Sequence, residues 1–197
     1  MSYQIITVSR MFGSGGRSIG KALAEALGIP YYDKEVIEMV AEESGLHPDF
    51  VAERGEYAPS KNPFGYAFVG RDTHGISNDD LLWNAQCRVI RELAEKGPCV
   101  IVGRCADYLL RNREDALHVF ISADDEYRKE YILEHYGETK QKPERRLAEK
   151  DKKRRLNYEF YTERKWGDPA NYHLMLNSGK LGVEKTVEVI LAAYRQN

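Results

Sequence analysis

The run Ile5-Ile6-Thr7-Val8-Ser9-Arg10, followed at once by Met11-Phe12-Gly13-Ser14-Gly15-Gly16-Arg17-Ser18-Ile19-Gly20, restricts the fold more than any other part of the chain. Its first half is a continuous β-branched segment, the pattern of a central parallel strand covered on both faces. Its second half reads as a glycine-rich turn and a helix start, where backbone N–H groups approach a ligand that any Cβ would hold away. A helix N-terminus presented in this way attracts an anion. Strand, turn and helix in this order make a phosphate cradle.

The phosphate-loop pattern GxxxxGK[ST] can be laid on this segment in three registers. Starting at Met11, Gly16 is the second glycine, Arg17 replaces the lysine and Ser18 supplies the hydroxyl. Starting at Arg10, Gly15 is the second glycine, Gly16 falls on the lysine and Ser18 follows one step later. The third register, Gly15 to Gly20 with Lys21 and Ala22, keeps the lysine, loses the hydroxyl and sits a turn too far into the helix. The first two are favoured. Both gather Gly13, Ser14, Gly15, Gly16 and Ser18 around an anion and leave Arg17 or Arg10 to neutralise it. Arginine is a planar, bidentate donor and not a neutral replacement for lysine. A βα turn that binds nothing is the competing reading.

A chain of 197 residues holds one domain with a sizeable core, or a core carrying an insert. A net charge of -2 gives no overall field toward nucleic acid or membrane. Cys87, Cys99 and Cys105 are odd in number and lack CxxC spacing, which points to reduced cytoplasmic thiols and away from zinc. The five histidines are scattered. No apolar run approaches the ~18 residues of a membrane span, and no leader pattern precedes the first strand.

Further along, Ile19, Leu23, Ala26 and Leu27 keep helical spacing up to Gly28 and Pro30. A second strand spans 29–32, a helix runs to Gly45, and Pro48 opens a short helix to Arg54. Residues 55–79 show no period. Leu82 to Leu93 read as a helix, Cys99 to Gly103 and Leu117 to Ile121 as buried strands. Ser122 and Asp125 have capping-box spacing before a helix ending at Gly137. A charged helix from about 144 to 163, a strand from 172 to 177 and a helix from 183 to 194 complete the pattern. Strands alternating with helices predict an α/β fold with a parallel sheet and helices on both faces. Ligands in such sheets sit beyond the carboxyl ends of the strands. Arg10 to Ser18, Asp33, Arg104, Ser122 and Asn177 occupy those places.

Arg104, after its strand, is placed for a phosphate contact or for pairing with a carboxylate. Asp33 is placed to hold a substrate hydroxyl, to order magnesium through water, to act as a base, or to cap the helix starting at Lys34. Between 140 and 165 basic residues outnumber acids, and Arg146, Lys150 and Arg154 share a helix face. That segment reads as a lid closing over polyphosphate, as a nucleic-acid surface with stacking tyrosines, or as a solvated face.

Taken together, Ser9-Arg10 with Gly13-Ser14-Gly15-Gly16-Arg17, then Ile29-Pro30-Tyr31-Tyr32-Asp33-Lys34-Glu35, then Val100 to Leu109 with Gly103-Arg104-Cys105-Ala106-Asp107, then Asp151-Lys152-Lys153-Arg154 and Trp166 to Asn177 resemble the cytidylate kinase-like branch of the P-loop nucleoside monophosphate kinases. The resemblance covers nearly the whole chain. It implies a three-layer core with a five-stranded parallel sheet, forming one unit over 1–197. An acceptor-side insert at about 45–80 and a lid at about 138–170 would be carried on it. It implies ATP with Mg2+ as donor, CMP or dCMP as acceptor, and nucleotides as the binding partners. Arg10, Gly13, Ser14, Gly15, Gly16, Arg17 and Ser18 would then take the donor phosphates, with Ser18 on the metal. Asp33, Gln86, Arg88 and Arg104 would take the acceptor, and Arg146, Lys150, Asp151 and Arg154 would form the lid. Arg17, Asp33, Arg104 and Arg154 would carry catalysis. The chain departs from the family pattern in lacking the loop lysine and in having Cys105 where an aspartate follows Gly-Arg. A kinase for a non-nucleotide acceptor, with Asp33 on its hydroxyl, and a nucleotide- or RNA-binding module without turnover are the alternatives.

Overall fold

The computed structural model describes residues 3–55 and 77–196. Strand β1 (Ile5–Arg10) is buried over its whole length. It lies at the centre of an all-parallel sheet with β2 (Tyr31–Tyr32), β3 (Cys99–Val102), β4 (Ala116–Ser122) and β5 (Leu174–Asn177), in the order β2-β3-β1-β4-β5. Val8 pairs with Val102 on one side and Val119 on the other, so β3 ends level with Val8 while β1 and β4 run two and three residues further. The candidate site lies along this carboxyl edge.

Both faces are covered, which is why the strands read as unbroken apolar runs. Ile5, Cys99 and Ile101 point to a core shared with α2 (Glu35–Ser44), α3 (Pro48–Arg54), α4 (Asn78–Glu95) and α5 (Ala106–Leu109). Ile6, Val8, Val100 and Val102 point the other way, to α1 (Gly16–Leu27) and α8 (Ser178–Arg195). Alternate residues of one strand therefore feed two separate cores. Two further helices, α6 (Asp125–Tyr136) and α7 (Pro143–Thr162), lie at the carboxyl edge.

Several sequence expectations need correction. Ser122 does not cap α6: it is still the last residue of β4, paired with Asn177, and its hydroxyl donates to the Leu176 carbonyl. Asp124 holds the cap position, with its carboxylate drawn to Lys180. Asp33 does not cap α2, because Lys34 stands between it and the helix and the Asp33 carboxylate is paired elsewhere. The second strand shrinks to two residues, and the last starts at Leu174 rather than 172, after a 3-10 turn (Pro169–Asn171). Helix α8 begins five residues early and breaks at Gly182 (φ 75°, ψ 167°), so the sequence periodicity found only its second part. Of the unpatterned stretch 55–79, residues 56–76 lie outside those described.

Candidate active site

The loop leaving β1 enters α1 through Gly15, whose φ of 70° is a left-handed conformation that costs glycine little. Gly16 is the first helical residue. The loop is braced from below by Ser14, fully buried, whose hydroxyl donates to the carbonyls of Met11 (2.9 Å) and Ile121 (3.1 Å). Ser14 is thus a strut of the cradle rather than a side-chain ligand.

Helices α6 and α7 grip the loop at its tip. The Phe12 N–H donates to Asp151 (2.7 Å), while Arg128 donates to the Phe12 carbonyl (3.2 Å) and to the other Asp151 oxygen (2.5 Å). Phe12 is held through both its N–H and its carbonyl, which belong to successive peptides. Arg154 of α7 lies over the Phe12 ring, 5.6 Å from its centroid, and donates to the Arg10 carbonyl. Tyr136 stacks on Phe12 at 5.6 Å.

Cations converge beneath. Arg10, 6 % exposed, reaches from the end of β1 to Asp33 at the end of β2 (3.8 Å), and the Arg17 Nε lies 2.8 Å from the second Asp33 oxygen. The neighbouring turn after β3 is unusual, with Gly103, Arg104 and Cys105 all at positive φ (74°, 58° and 55°). Two non-glycine residues in that region store strain, a feature that clusters at functional sites. Gln86 donates to the Arg104 carbonyl and holds the turn from α4. The Arg104 guanidinium lies against Gly55, where a Cβ would come 2.7 Å from Nη1.

Behind this turn sits Asp107, wholly buried, accepting from Ser9 (3.0 Å) and Tyr158 (2.7 Å). Burial pushes its carboxyl pKa up, against the pull of these hydrogen bonds. Burial and the nearby Asp107 likewise raise the phenols of Tyr158 and Tyr172.

Two small clefts meet here. One, of ≈ 20 Å³, is lined by Gly13, Gly15 and Gly16 with Arg17. The other, of ≈ 30 Å³, is lined by Gly55, Gly103, Arg104, Asn157, Tyr158 and Trp166. Arg10 and Arg154 line both. A larger groove of ≈ 400 Å³ opens beside the loop between Phe12 and lid residues including Arg146, Lys150 and Lys153.

The structure therefore brings together Arg10, Gly13, Gly15, Gly16, Arg17, Asp33, Arg104, Asp151 and Arg154. It places Gln86 behind Arg104, and Arg146 and Lys150 along the outer groove. Arg88 is elsewhere, paired with Glu43 on the outside of α4 (2.6 Å). The exposed Ser18 hydroxyl meets the hydroxyl of Tyr131, whose ring flanks Gly15, at 2.7 Å. Sequence reasoning assigned no role to Ser9, Phe12, Asp107 and Arg128. Asp107 carried a faint signal, lying one short turn after the strand-end arginine. Arg128 had none, because its partners Phe12 and Asp151 are distant in sequence.

Fold and loop first define the class, a P-loop-type kinase fold. Solved structures with the same architecture include the shikimate kinase from Acinetobacter baumannii (TM-score 0.53, 15 % identity, 99 % of this chain and 96 % of that one). The gluconokinase from Sinorhizobium meliloti is similar (0.54, 16 %, 98 % and 93 %). An uncharacterized protein from Eubacterium ventriosum shares more (0.74, 28 %, 98 % and 99 %). Residues 5–180 match the cytidylate kinase-like family, and the chain belongs to it. It is 33 % identical to the cytidylate kinase of Archaeoglobus fulgidus over 95 % of this chain and 93 % of that protein.

Proposed function

We propose that the protein transfers the γ-phosphoryl group of ATP to a nucleoside monophosphate, with CMP or dCMP as the acceptor. The observation that carries this reading is the pair of clefts sharing Arg10 and Arg154. A donor phosphate seated on the Gly13 to Gly16 N–H groups and an acceptor phosphate on Arg104 would meet between those two guanidinium groups. Phosphoryl transfer needs little covalent help from a protein; it needs positioning and charge stabilisation. Arginines aimed at the transferring oxygens in a small cleft supply both. The Asp151 and Arg128 clasp on Phe12 would fix the loop while α7 excludes water.

Magnesium would arrive with ATP, with the Ser18 hydroxyl as the side-chain oxygen offered to it from the start of α1. Asp33 lies between two guanidinium groups, Asp151 between the Phe12 N–H and Arg128, and the exposed Ser18 hydroxyl next to that of Tyr131. Among the described residues, no group of three or more His, Cys, Asp or Glu could hold a metal.

The test is ADP release from ATP and magnesium with a panel of nucleoside monophosphates. CMP-dependent release that disappears in Arg104→Ala supports the reading. Absence of release with every monophosphate, from folded protein, overturns it.

A further inference from the structure

We infer that the charge a P-loop lysine normally brings to the transferring phosphate comes here from Arg10, and that Gly16 and Gly103 are glycines because they house its side chain. The inference rests on the kinase reading above.

Gly16 opens α1 directly after the capping glycine, so it stands where the second favoured register puts the lysine. A Cβ at that position would meet Arg10 Cβ at 2.6 Å and Cγ at 2.9 Å, and its three nearest neighbours are all Arg10 atoms. Nothing else comes as close. A lysine at 16 and an arginine at 10 therefore exclude each other: one crowded place has room for one stem. At the other end of the same side chain, a Cβ on Gly103 would fall on the Arg10 guanidinium itself. The stem thus runs over Gly16 and the head over Gly103, and the head arrives in the region lined by both clefts.

Arg17, the rival for this role, is 36 % exposed and pairs with Asp33 through Nε. Arg10 is 6 % exposed and already desolvated, the condition in which a fixed charge acts most strongly on a developing one. Asp33 holds both guanidinium groups in place before a nucleotide binds. Arg10 is the catalytic cation, and Arg17 assists from the rim.

The experiment exploits the mutual exclusion with Arg10→Gly, Gly16→Lys, the double variant R10G/G16K, and Arg17→Ala. Turnover of ATP with CMP is measured beside calorimetric binding of ATP and thermal melting. Arg10→Gly is expected to lose about 100-fold in kcat with a smaller change in KM for ATP. Gly16→Lys alone is expected to lose activity through the clash. The double variant, which rebuilds a conventional lysine in the emptied space, is expected to recover at least about tenfold over Arg10→Gly, the signature of coupled neighbours. Arg17→Ala should lose about tenfold or less. A double variant that melts like the parent yet is no more active than Arg10→Gly overturns the inference, as does an Arg17→Ala loss exceeding that of Arg10→Gly. A parent that binds ATP without turning over any monophosphate refutes the kinase reading instead. In that case weaker ATP binding in Arg10→Gly, restored in the double variant, still supports the arrangement, and unaltered binding in both overturns it.

Discussion

Two carboxyl groups lie buried at the same sheet edge, and they are kept there by opposite means. Asp33 is held by two guanidinium groups, Arg10 and Arg17. Asp107 is held by two hydroxyls, from Ser9 and Tyr158, and burial raises its pKa. A charged carboxylate among arginines can be exchanged for an incoming phosphate, because the cations are indifferent to which anion they hold. A carboxyl satisfied by neutral hydroxyls has nothing to exchange. The first arrangement suits a site that changes partners in each cycle, and the second suits a joint between β1, the Arg104 turn and the lid helix.

The comparison can be sharpened or broken by measurement. The largest expected effect belongs to the cations: Arg104→Ala should lower kcat/KM for CMP by about 10² to 10³-fold. Arg104→Lys, which keeps the charge and loses the fork, should recover only part of it. Next, Asp33→Asn should reduce turnover about tenfold by freeing two guanidinium groups from their shared anchor. Asp107→Asn should reduce it far less, and equal losses in steady-state kinetics would break the distinction. Tyr158→Phe removes a donor from a buried carboxyl and should cost about 1–3 kcal/mol of stability. For a chain of this size that lowers Tm by roughly 2–4 °C per kcal/mol, readable by calorimetry.

The smallest effect concerns pH. His118, on β4 against Thr7 and His173, has its pKa lowered to about 4 by burial, with His173 adding to the shift. The unfolded chain therefore binds the extra proton first, and stability is lost as pH falls from about 6.5 to about 4. Asp107 has the opposite sign: its raised pKa gives stability that is lost as pH rises through the folded value. Melting curves of His118→Gln should slope less than the parent between pH 6.5 and 4.

The sheet was legible because each strand announces itself locally. Ile5–Arg10 and Cys99–Val102 are buried on both faces, so their apolar runs are unbroken, and Gly28, Gly45 and Gly137 each mark a helix end. The candidate site was legible where a residue follows a strand end, as with Arg10, Asp33 and Arg104, which the structure places at one edge of the sheet. It was not legible where the partner comes from far along the chain. No pattern near Ser18 tells that its hydroxyl will face Tyr131, and no pattern near Phe12 announces Asp151 and Arg128. Ser122 misled for the converse reason: its spacing from Asp125 is that of a cap, but strand pairing with Asn177 claims it first. Arg88 shares a helix with Gln86, yet two residues turn it about 200° around the axis and out of the site.

The clasp on Phe12 also makes this molecule its own stopwatch. Its amide proton is bonded to a residue of α7, so it can trade with solvent deuterium only when Asp151 lets go. A single backbone position then reports how often α7 parts from the loop, with no label attached. Arg128 is anchored on Asp125 as well as on Asp151, so the Phe12 carbonyl stays held while its N–H is let go, and the loop has one fixed side and one releasable side.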